Sequence, residues 1–272
     1  MVGAARARAG VALSVALLCC TAACTSSVAP PPPPVTAAAP TPAMSASPSP
    51  ASTPALSFTL ALDPGHNGGN ATHVREINAP VPDGRGGSKA CNTVGTATAS
   101  GYPEHAFNFD VATRMIPTLE HAGITVITSR DSDDGVGPCV DERGTFAAGA
   151  DALVSLHANG SATTTPHGFF LIVTPEGAAA SSPTSQLAAE VIAQLRQAGF
   201  QENSGVAGPL QQRTDIAGLN HAAAAAPQLP AVLIELGEMR NPDDAAVMES
   251  PAGRQRYADA LAAAIISYAS RP

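Results

Sequence analysis

From about residue 58 onwards, short apolar runs alternate with segments in which apolar residues recur at helical spacing. The apolar runs predict buried strands at 58–62, 124–128, 152–156, 168–173 and 231–234. The helical spacing, with the residues that start and stop helices, predicts helices at 104–121, 140–148, 184–198, 216–226 and 243–269. This alternation is typical of an α/β fold, so we expect a single domain with a largely parallel, twisted sheet flanked by helices.

Three places interrupt that alternation. Residues 70–100 are rich in glycine, proline, asparagine and threonine and show no helical period, which predicts a long loop or an irregular hairpin. Loops of this length in compact domains tend to be functional. Pro117 lies inside the helix that begins near Glu104, and it predicts a kink or a late restart because proline removes a helical hydrogen bond. We also expect the last helix to break near Pro251.

The first 55 residues differ in composition from the rest and predict an exported protein. Residues 1–23 have a basic start, then an apolar run, then small residues, which is the plan of a signal peptide. The apolar run is too short to span a bilayer comfortably. Residues 24–55 carry no charge and are rich in proline, alanine, serine and threonine, which predicts an extended tether. Residues 56–272 are left as one folded domain.

The predicted domain contains only two of the five cysteines, Cys91 and Cys139. In an exported protein an isolated pair of cysteines predicts a disulfide. A free or metal-binding pair is the alternative.

Cys24 stands at the start of the tether and resembles the acylated cysteine of bacterial lipoproteins, although Thr21 stands where a leucine is usual. Lipidation would anchor the domain to the outer face of the plasma membrane. Simple cleavage near Ala23, followed by release, is the alternative. In either case we expect the protein in the periplasmic or cell-wall space.

The charge excludes some classes of partner. The formal net charge is −8 with a single lysine in the chain, and loss of the signal peptide would remove two arginines as well. Such an acidic protein is a poor candidate for binding nucleic acid or an anionic membrane surface. We therefore expect no nucleic-acid partner, membrane contact only through a lipid anchor, and a monomer.

Three predicted strands end in residues that can do chemistry, namely His66, His157 and Glu235, and Glu104 opens a helix. Successive ends of parallel strands lie on one edge of a sheet, so these side chains can converge. Each has a plainer interpretation: His66 as a structural turn residue, Glu104 as a helix-start acid, His157 as a satisfied core residue, and Glu235 as half of a buried ion pair. Two histidines and one carboxylate, with a further carboxylate as general base, form a usual catalytic zinc set. Their joint occurrence predicts a zinc site at the carboxyl edge of the strands.

Four ordered motifs extend this pattern over nearly the whole domain. Read in order, they are Leu-Asp-Pro-Gly-His-Asn-Gly at 62–68, Gly-Ile-Thr-Val-Ile-Thr-Ser-Arg at 123–130, Leu-Val-Ser-Leu-His-Ala-Asn at 153–159 and Pro-Ala-Val-Leu-Ile-Glu-Leu-Gly at 230–237. With Glu104 and its helix between the first two, the chain resembles the zinc-dependent N-acetylmuramoyl-L-alanine amidases of the type 3 family, in particular their actinobacterial subgroup.

The resemblance implies a specific chemistry. His66, Glu104 and His157 match the family's ligands for one Zn²⁺, and Glu235 matches its catalytic glutamate. The enzyme would hydrolyse the amide between the lactyl group of N-acetylmuramic acid and L-Ala in peptidoglycan or a muropeptide. Zinc would polarise the carbonyl and acidify a water, and Glu235 would pass the water's proton to the leaving amine. The subgroup also implies that a disulfide between Cys91 and Cys139 ties down the 70–100 loop.

The sequence departs from the family at Leu236-Gly237-Glu238, where Thr-Gly-Phe is usual, and we expect this to alter one wall of the substrate groove. Arg213 and Asn159 are candidates for contacting the substrate, with a solvated charge as the alternative for Arg213. Two other functions stay open at this point: a non-catalytic cell-wall binding protein, and a zinc peptidase that cuts within the stem peptide.

Overall fold

The structure is a computed structural model that describes residues 56–271. The expected signal peptide, the tether and Cys24 lie outside these residues. The strands are β1 (Phe58–Pro64), β2 (Pro80–Pro82), β3 (Ser88–Ala90), β4 (Ile124–Thr128), β5 (Ala152–Asn159), β6 (Phe170–Val173), β7 (Leu210–Gln212) and β8 (Ala231–Glu238). The helices are α1 (Val74–Ile77), α2 (Glu104–His121), α3 (Glu142–Thr145), α4 (Pro183–Gln197), α5 (Ala217–Ala225), α6 (Pro242–Glu249) and α7 (Pro251–Ala269).

Six strands form one sheet in the order β4-β1-β5-β8-β6-β7, in which every neighbouring pair is parallel except β8–β6. The carboxyl ends of β1, β5 and β8 therefore lie on the same edge. This confirms the expected α/β domain with a largely parallel sheet. β2 and β3 form a separate antiparallel hairpin within the predicted 70–100 loop.

Helices cover both faces of the sheet, which explains why its central strands read as continuous apolar runs. Along β8, Val232 and Ile234 face the larger core, where the sheet packs against α2, α4 and α7. Leu233, between them, faces a smaller core under α5. Each fully buried side chain of this size contributes roughly 1.5–3 kcal/mol to stability.

Two of the expected helix irregularities have different outcomes. The chain does break before Pro251: α6 ends, Ser250 accepts a hydrogen bond on its Oγ from the Gly253 amide (2.9 Å), and α7 begins. A restart at Pro117 is wrong, because α2 continues from Glu104 to His121. Thr113, whose carbonyl loses its partner to the proline, lies like Pro117 on the exposed side of α2, where water can hydrate that carbonyl.

The pattern also mispredicted some short elements. The helix expected at 140–148 is reduced to one turn, α3. The three-residue edge strand β7 had no signal in the sequence, since it offers too few positions for a period. Among residues 56–271, none of the helices has the length and apolar character needed to cross a lipid bilayer.

Candidate metal centre

Three of the predicted ligands meet at the carboxyl edge of the sheet. His66 follows β1, His157 lies near the end of β5, and Glu104 is the first residue of α2. Glu104 Oε1 lies 3.2 Å from His66 Nε2 and 3.0 Å from His157 Nδ1. One ligand atom from each residue falls within 4.8 Å of the other two. The sequence prediction that these residues converge is correct.

Glu104 is held firmly as a charged carboxylate. Its Oε1 also accepts the Ala158 amide (3.1 Å), and its Oε2 accepts the Thr96 amide (3.0 Å). Burial alone would raise the pKa of Glu104, but the imidazoles of His66 and His157 and their hydrogen bonds hold it well below its usual range. Glu104 is therefore more than a helix-start acid: its carboxylate joins both histidines.

His66 is presented by a turn with an uncommon backbone conformation. Its φ is 60°, the left-handed region, and no other non-glycine residue between 56 and 271 has a positive φ. Such a conformation costs of order 1–3 kcal/mol and persists only when its surroundings enforce it. The ring Nδ1 bonds to the Thr93 carbonyl (3.0 Å), which leaves Nε2 for a ligand. Burial lowers the pKa of His66, but Glu104 and the Thr93 carbonyl raise it above its ordinary value.

Glu235 is the fourth convergent residue and differs from the other three. It pairs in register with His157 across β8 and β5, so the two side chains leave the sheet on the same side. Its Oε2 is buried and has no hydrogen-bond partner among the described residues. Burial, and then the charges of Glu104 and Glu238, raise its pKa well above the ordinary value, while Arg213 opposes this only in part. The buried ion pair of the plainer interpretation is not formed.

The donor set fits zinc better than the harder divalent cations. Two imidazole nitrogens and a carboxylate oxygen are usual ligands of catalytic Zn²⁺, whereas Mg²⁺ and Ca²⁺ prefer sets made of oxygen. His66 and Glu104 also have the outer hydrogen bonds, to Thr93 and to backbone amides, that orient metal ligands. The free carboxylate of Glu235 beside this set completes the arrangement of a hydrolytic site.

Two cavities meet at His66, His157 and Glu235. One of about 280 Å³ runs under the β2–β3 hairpin towards α5, and its floor is mostly apolar, formed by Leu153, Leu233 and Leu219 among others. The other, of about 310 Å³, is open to solvent and lies along residues 93–96 and 158–160. The candidate centre therefore lies where the two cavities share lining residues.

The two predicted substrate contacts have different surroundings. Asn159 lines the open cavity, but its Nδ2 donates to Glu238 Oε1 (2.7 Å). Arg213 is about half exposed, pairs with Asp215 (Nε–Oδ1 2.8 Å), and is not among the residues lining either cavity. Lys89, the single lysine of the chain, does line the apolar cavity. Sequence reasoning missed it, although a lone lysine in an acidic chain was a usable signal.

The expectation that Leu236-Gly237-Glu238 alters a wall of the groove is wrong. The strand β8 continues to Glu238, so Leu236 points into the larger core and is 1% exposed. A Cβ at Gly237 would lie 2.8 Å from Met248 Cε, so Gly237 packs closely against α6. Glu238 is buried and accepts the Ser161 amide (3.0 Å) and Asn203 Nδ2 (2.9 Å). This segment supports the loop behind the groove from inside.

Cys91 and Cys139 form a disulfide, so the alternative of a free or metal-binding pair is excluded. The bond joins the 70–100 loop to the segment that leads into α3. Thr93, which orients His66, lies two residues beyond Cys91. The loop is therefore part of the candidate centre.

The region that contains this centre matches a known protein family. Residues 60–267 match the family described as N-acetylmuramoyl-L-alanine amidase (Amidase_3). The N-acetylmuramoyl-L-alanine amidase Rv3717 of Mycobacterium tuberculosis is 40% identical over 241 residues, which cover 86% of this chain and 95% of that protein. Two solved amidase structures, both called Ami1, are also similar. The one from Mycobacterium smegmatis has 42% identity and a TM-score of 0.72 over 78% of this chain and 97% of its own. The apo form from Mycobacterium abscessus has 39% identity and the same TM-score over 79% and 99%.

Proposed function

The chain belongs to the N-acetylmuramoyl-L-alanine amidase family and is a peptidoglycan hydrolase of that class, and we propose that it works with one Zn²⁺ held by His66, Glu104 and His157 and with Glu235 as general base. The bond cleaved is the amide between the lactyl group of N-acetylmuramic acid and L-Ala of the stem peptide. The observation that carries the proposal is the unpaired, buried Oε2 of Glu235 beside a cluster of three ligand atoms.

When bound, Zn²⁺ supplies polarisation of the scissile carbonyl and lowers the pKa of a water molecule. Glu235 takes the proton of the attacking water and delivers it to the nitrogen of L-Ala as the amide breaks. Burial raises the pKa of Glu235, which makes its carboxylate a stronger proton acceptor than an exposed glutamate. The products are a free stem peptide and a glycan strand that carries the lactyl carboxylate.

The two cavities support a groove with room for substrate on both sides of the reacting bond. The apolar floor of the cavity under the β2–β3 hairpin suits the methyl group of L-Ala, and Lys89 supplies a cation for a peptide carboxylate. We retain Asn159 and Arg213 as proposed substrate contacts. Asn159 lines the open cavity, and Arg213 would first have to exchange Asp215 for a substrate carboxylate.

A hydrolase of the cell wall acts outside the plasma membrane. We propose that residues 1–23 direct export, that residues 24–55 form the tether of the domain at 56–272, and that Cys24 carries a lipid anchor. We also propose that the protein acts as a monomer, because all four site residues come from one chain.

The test is hydrolysis of a purified muramoyl-peptide, followed by mass spectrometry of the products, with and without a chelator. We expect cleavage only at the lactyl–L-Ala bond, loss of turnover with chelator, and recovery when Zn²⁺ is restored. Cleavage between two peptide residues would support a zinc peptidase instead. Binding without turnover would support a wall-binding protein.

A further inference from the structure

The buried side chain of Arg143 binds two carbonyls of the turn that presents His66. Its Nη2 donates to the His66 carbonyl (2.9 Å), and its Nη1 donates to the Pro64 carbonyl (2.9 Å). Nη2 also donates to the side-chain oxygen of Asn67. Arg143 is 4% exposed, so these bonds do not compete with solvent. The guanidinium therefore fixes the peptide plane after the left-handed residue and the plane between Pro64 and Gly65.

Groups outside the His66 turn hold Arg143 itself in place. Its Nε donates to the Pro138 carbonyl (3.1 Å), and its Nη1 pairs with Asp63 Oδ1 at 2.5 Å. Ser129 and Ser155 donate to the same carboxylate. Asp63 is the last residue but one of β1, directly before Pro64, so this network binds the turn to the strand from which it departs.

The same turn has a second arginine, but with different contacts. Arg130 donates from Nε to the Pro64 carbonyl (2.9 Å) and from Nη2 to the Gly65 carbonyl (3.3 Å). It makes no hydrogen bond to His66 itself. Arg143 is thus the arginine that contacts the left-handed residue directly.

We propose that Arg143 is a positioning residue for the metal: it enforces the left-handed conformation of His66 and so aims Nε2 at the ion. The proposal rests on the metal site of the proposed function. The planar guanidinium of Arg143 reaches three backbone carbonyls, an amide oxygen and a carboxylate at once, which the single ammonium of lysine cannot do. In Arg143→Lys, His66 relaxes from φ 60° and the three ligand atoms no longer converge.

The test compares Arg143→Lys with Arg254→Lys in the full chain, and its first readout is Zn²⁺ affinity by calorimetric titration of the metal-free protein. Arg254 is the control because, like Arg143, it binds one carboxylate, that of Asp110, together with backbone carbonyls, those of Met248 (2.9 Å) and Glu249 (2.7 Å). It contacts none of the ligands. Denaturant unfolding of each metal-free variant measures the structural cost separately, and the absorption spectrum of the Co²⁺-substituted protein reports ligand geometry.

We expect Arg143→Lys to lower Zn²⁺ affinity by about 10- to 100-fold, as loss of an outer-shell contact does, and to change the Co²⁺ spectrum. Arg254→Lys should keep its Zn²⁺ affinity within twofold of the wild type and leave the Co²⁺ spectrum unchanged, whatever the substitution costs in stability. Equal Zn²⁺ affinity and an unchanged spectrum in Arg143→Lys would overturn the proposal. If that variant does not fold, Asp63→Asn, which loosens the anchor of Arg143, should lower Zn²⁺ affinity in the same direction, and no change there would overturn it too. Failure of the wild type to bind Zn²⁺ would instead contradict the proposed function.

Discussion

The two halves of the candidate metal centre are built in different ways. His157 and Glu235 lie at the ends of paired strands, and the β5–β8 register itself places them side by side. His66 has already left β1, and its ring is placed by the Thr93 carbonyl and by Arg143. A group on a strand depends on sheet pairing, whereas the group on the turn depends on residues 27 and 77 positions away. Substitutions of the residues that hold the turn should therefore displace His66 and leave His157 and Glu235 in place.

The largest effect should come from the strand-borne half, where Glu235 has a chemical role without binding metal. We expect Glu235→Gln to lower kcat by roughly 10²- to 10⁴-fold, because the water loses its proton acceptor, while Zn²⁺ affinity is retained. Kinetics on a muramoyl-peptide and calorimetric Zn²⁺ titration measure the two quantities. Glu238→Gln, on the same strand, is the control and should cost stability with a much smaller loss of kcat. Loss of Zn²⁺ in Glu235→Gln would show that our division between ligands and base is wrong.

The disulfide tests the turn-borne half. It joins the segment that carries Thr93 to the segment that leads to Arg143, and both residues hold His66. We expect the double variant Cys91→Ser, Cys139→Ser to lose about 2–4 kcal/mol of unfolding free energy and to bind Zn²⁺ more weakly. Urea unfolding and Zn²⁺ titration check this. The single variant Cys91→Ser should behave like the double variant, because either one removes the disulfide. Reduced stability with unchanged Zn²⁺ affinity would mean that His66 does not depend on the loop.

Much of the strand-borne half could be predicted from the sequence, and the reason is local. An apolar run followed by His157 or Glu235 identifies a strand end, and parallel strands gather such ends on one edge. Resemblance to the family then indicated the role of Glu104. The hydrogen bonds that hold His66 to Thr93 and Arg143 could not be predicted. They join residues far apart in the sequence, and such pairs produce no repeating pattern of apolar and polar positions. Arg130 had a weak signal, since it follows β4 at the same edge.

For Leu236-Gly237-Glu238, the sequence did show a departure from the family, but we placed these residues wrongly at a wall of the groove. Sequence comparison identifies which residue changed but not which face of the strand it occupies. The continuation of β8 to Glu238 turns Leu236 into the core and buries Glu238 among donors. The predicted strand ended at residue 234, so the sequence did not show which face Leu236 and Glu238 occupy.

The two halves touch at Gly65, which lies against the ring of His157. A Cβ built on Gly65 would lie 2.2 Å from His157 Cε1 and 2.4 Å from Nε2, so the ring or the turn must move. We expect Gly65→Ala to cost about 1–3 kcal/mol of stability through overpacking and to weaken Zn²⁺ binding. Gly218→Ala is the matched control, because its Cβ would meet only the Val140 carbonyl oxygen at 3.6 Å. Wild-type Zn²⁺ affinity in Gly65→Ala would show that the two ligands adjust independently.

The smallest effect should be a difference in acid stability that comes from the anchor of the turn. Burial alone would raise the pKa of Asp63, but Arg143 and the hydroxyls of Ser129 and Ser155 hold it below its ordinary value. The unfolded chain therefore binds a proton before the folded one does, so this contribution is present above about pH 4 and is lost as pH falls below that value. Urea unfolding of the metal-free protein from pH 7 to pH 3 should show a steeper loss of stability for the wild type than for Asp63→Asn. Parallel curves for the two proteins would mean that Asp63 titrates alike in both states, and that the turn is anchored by shape and not by the charge of this pair.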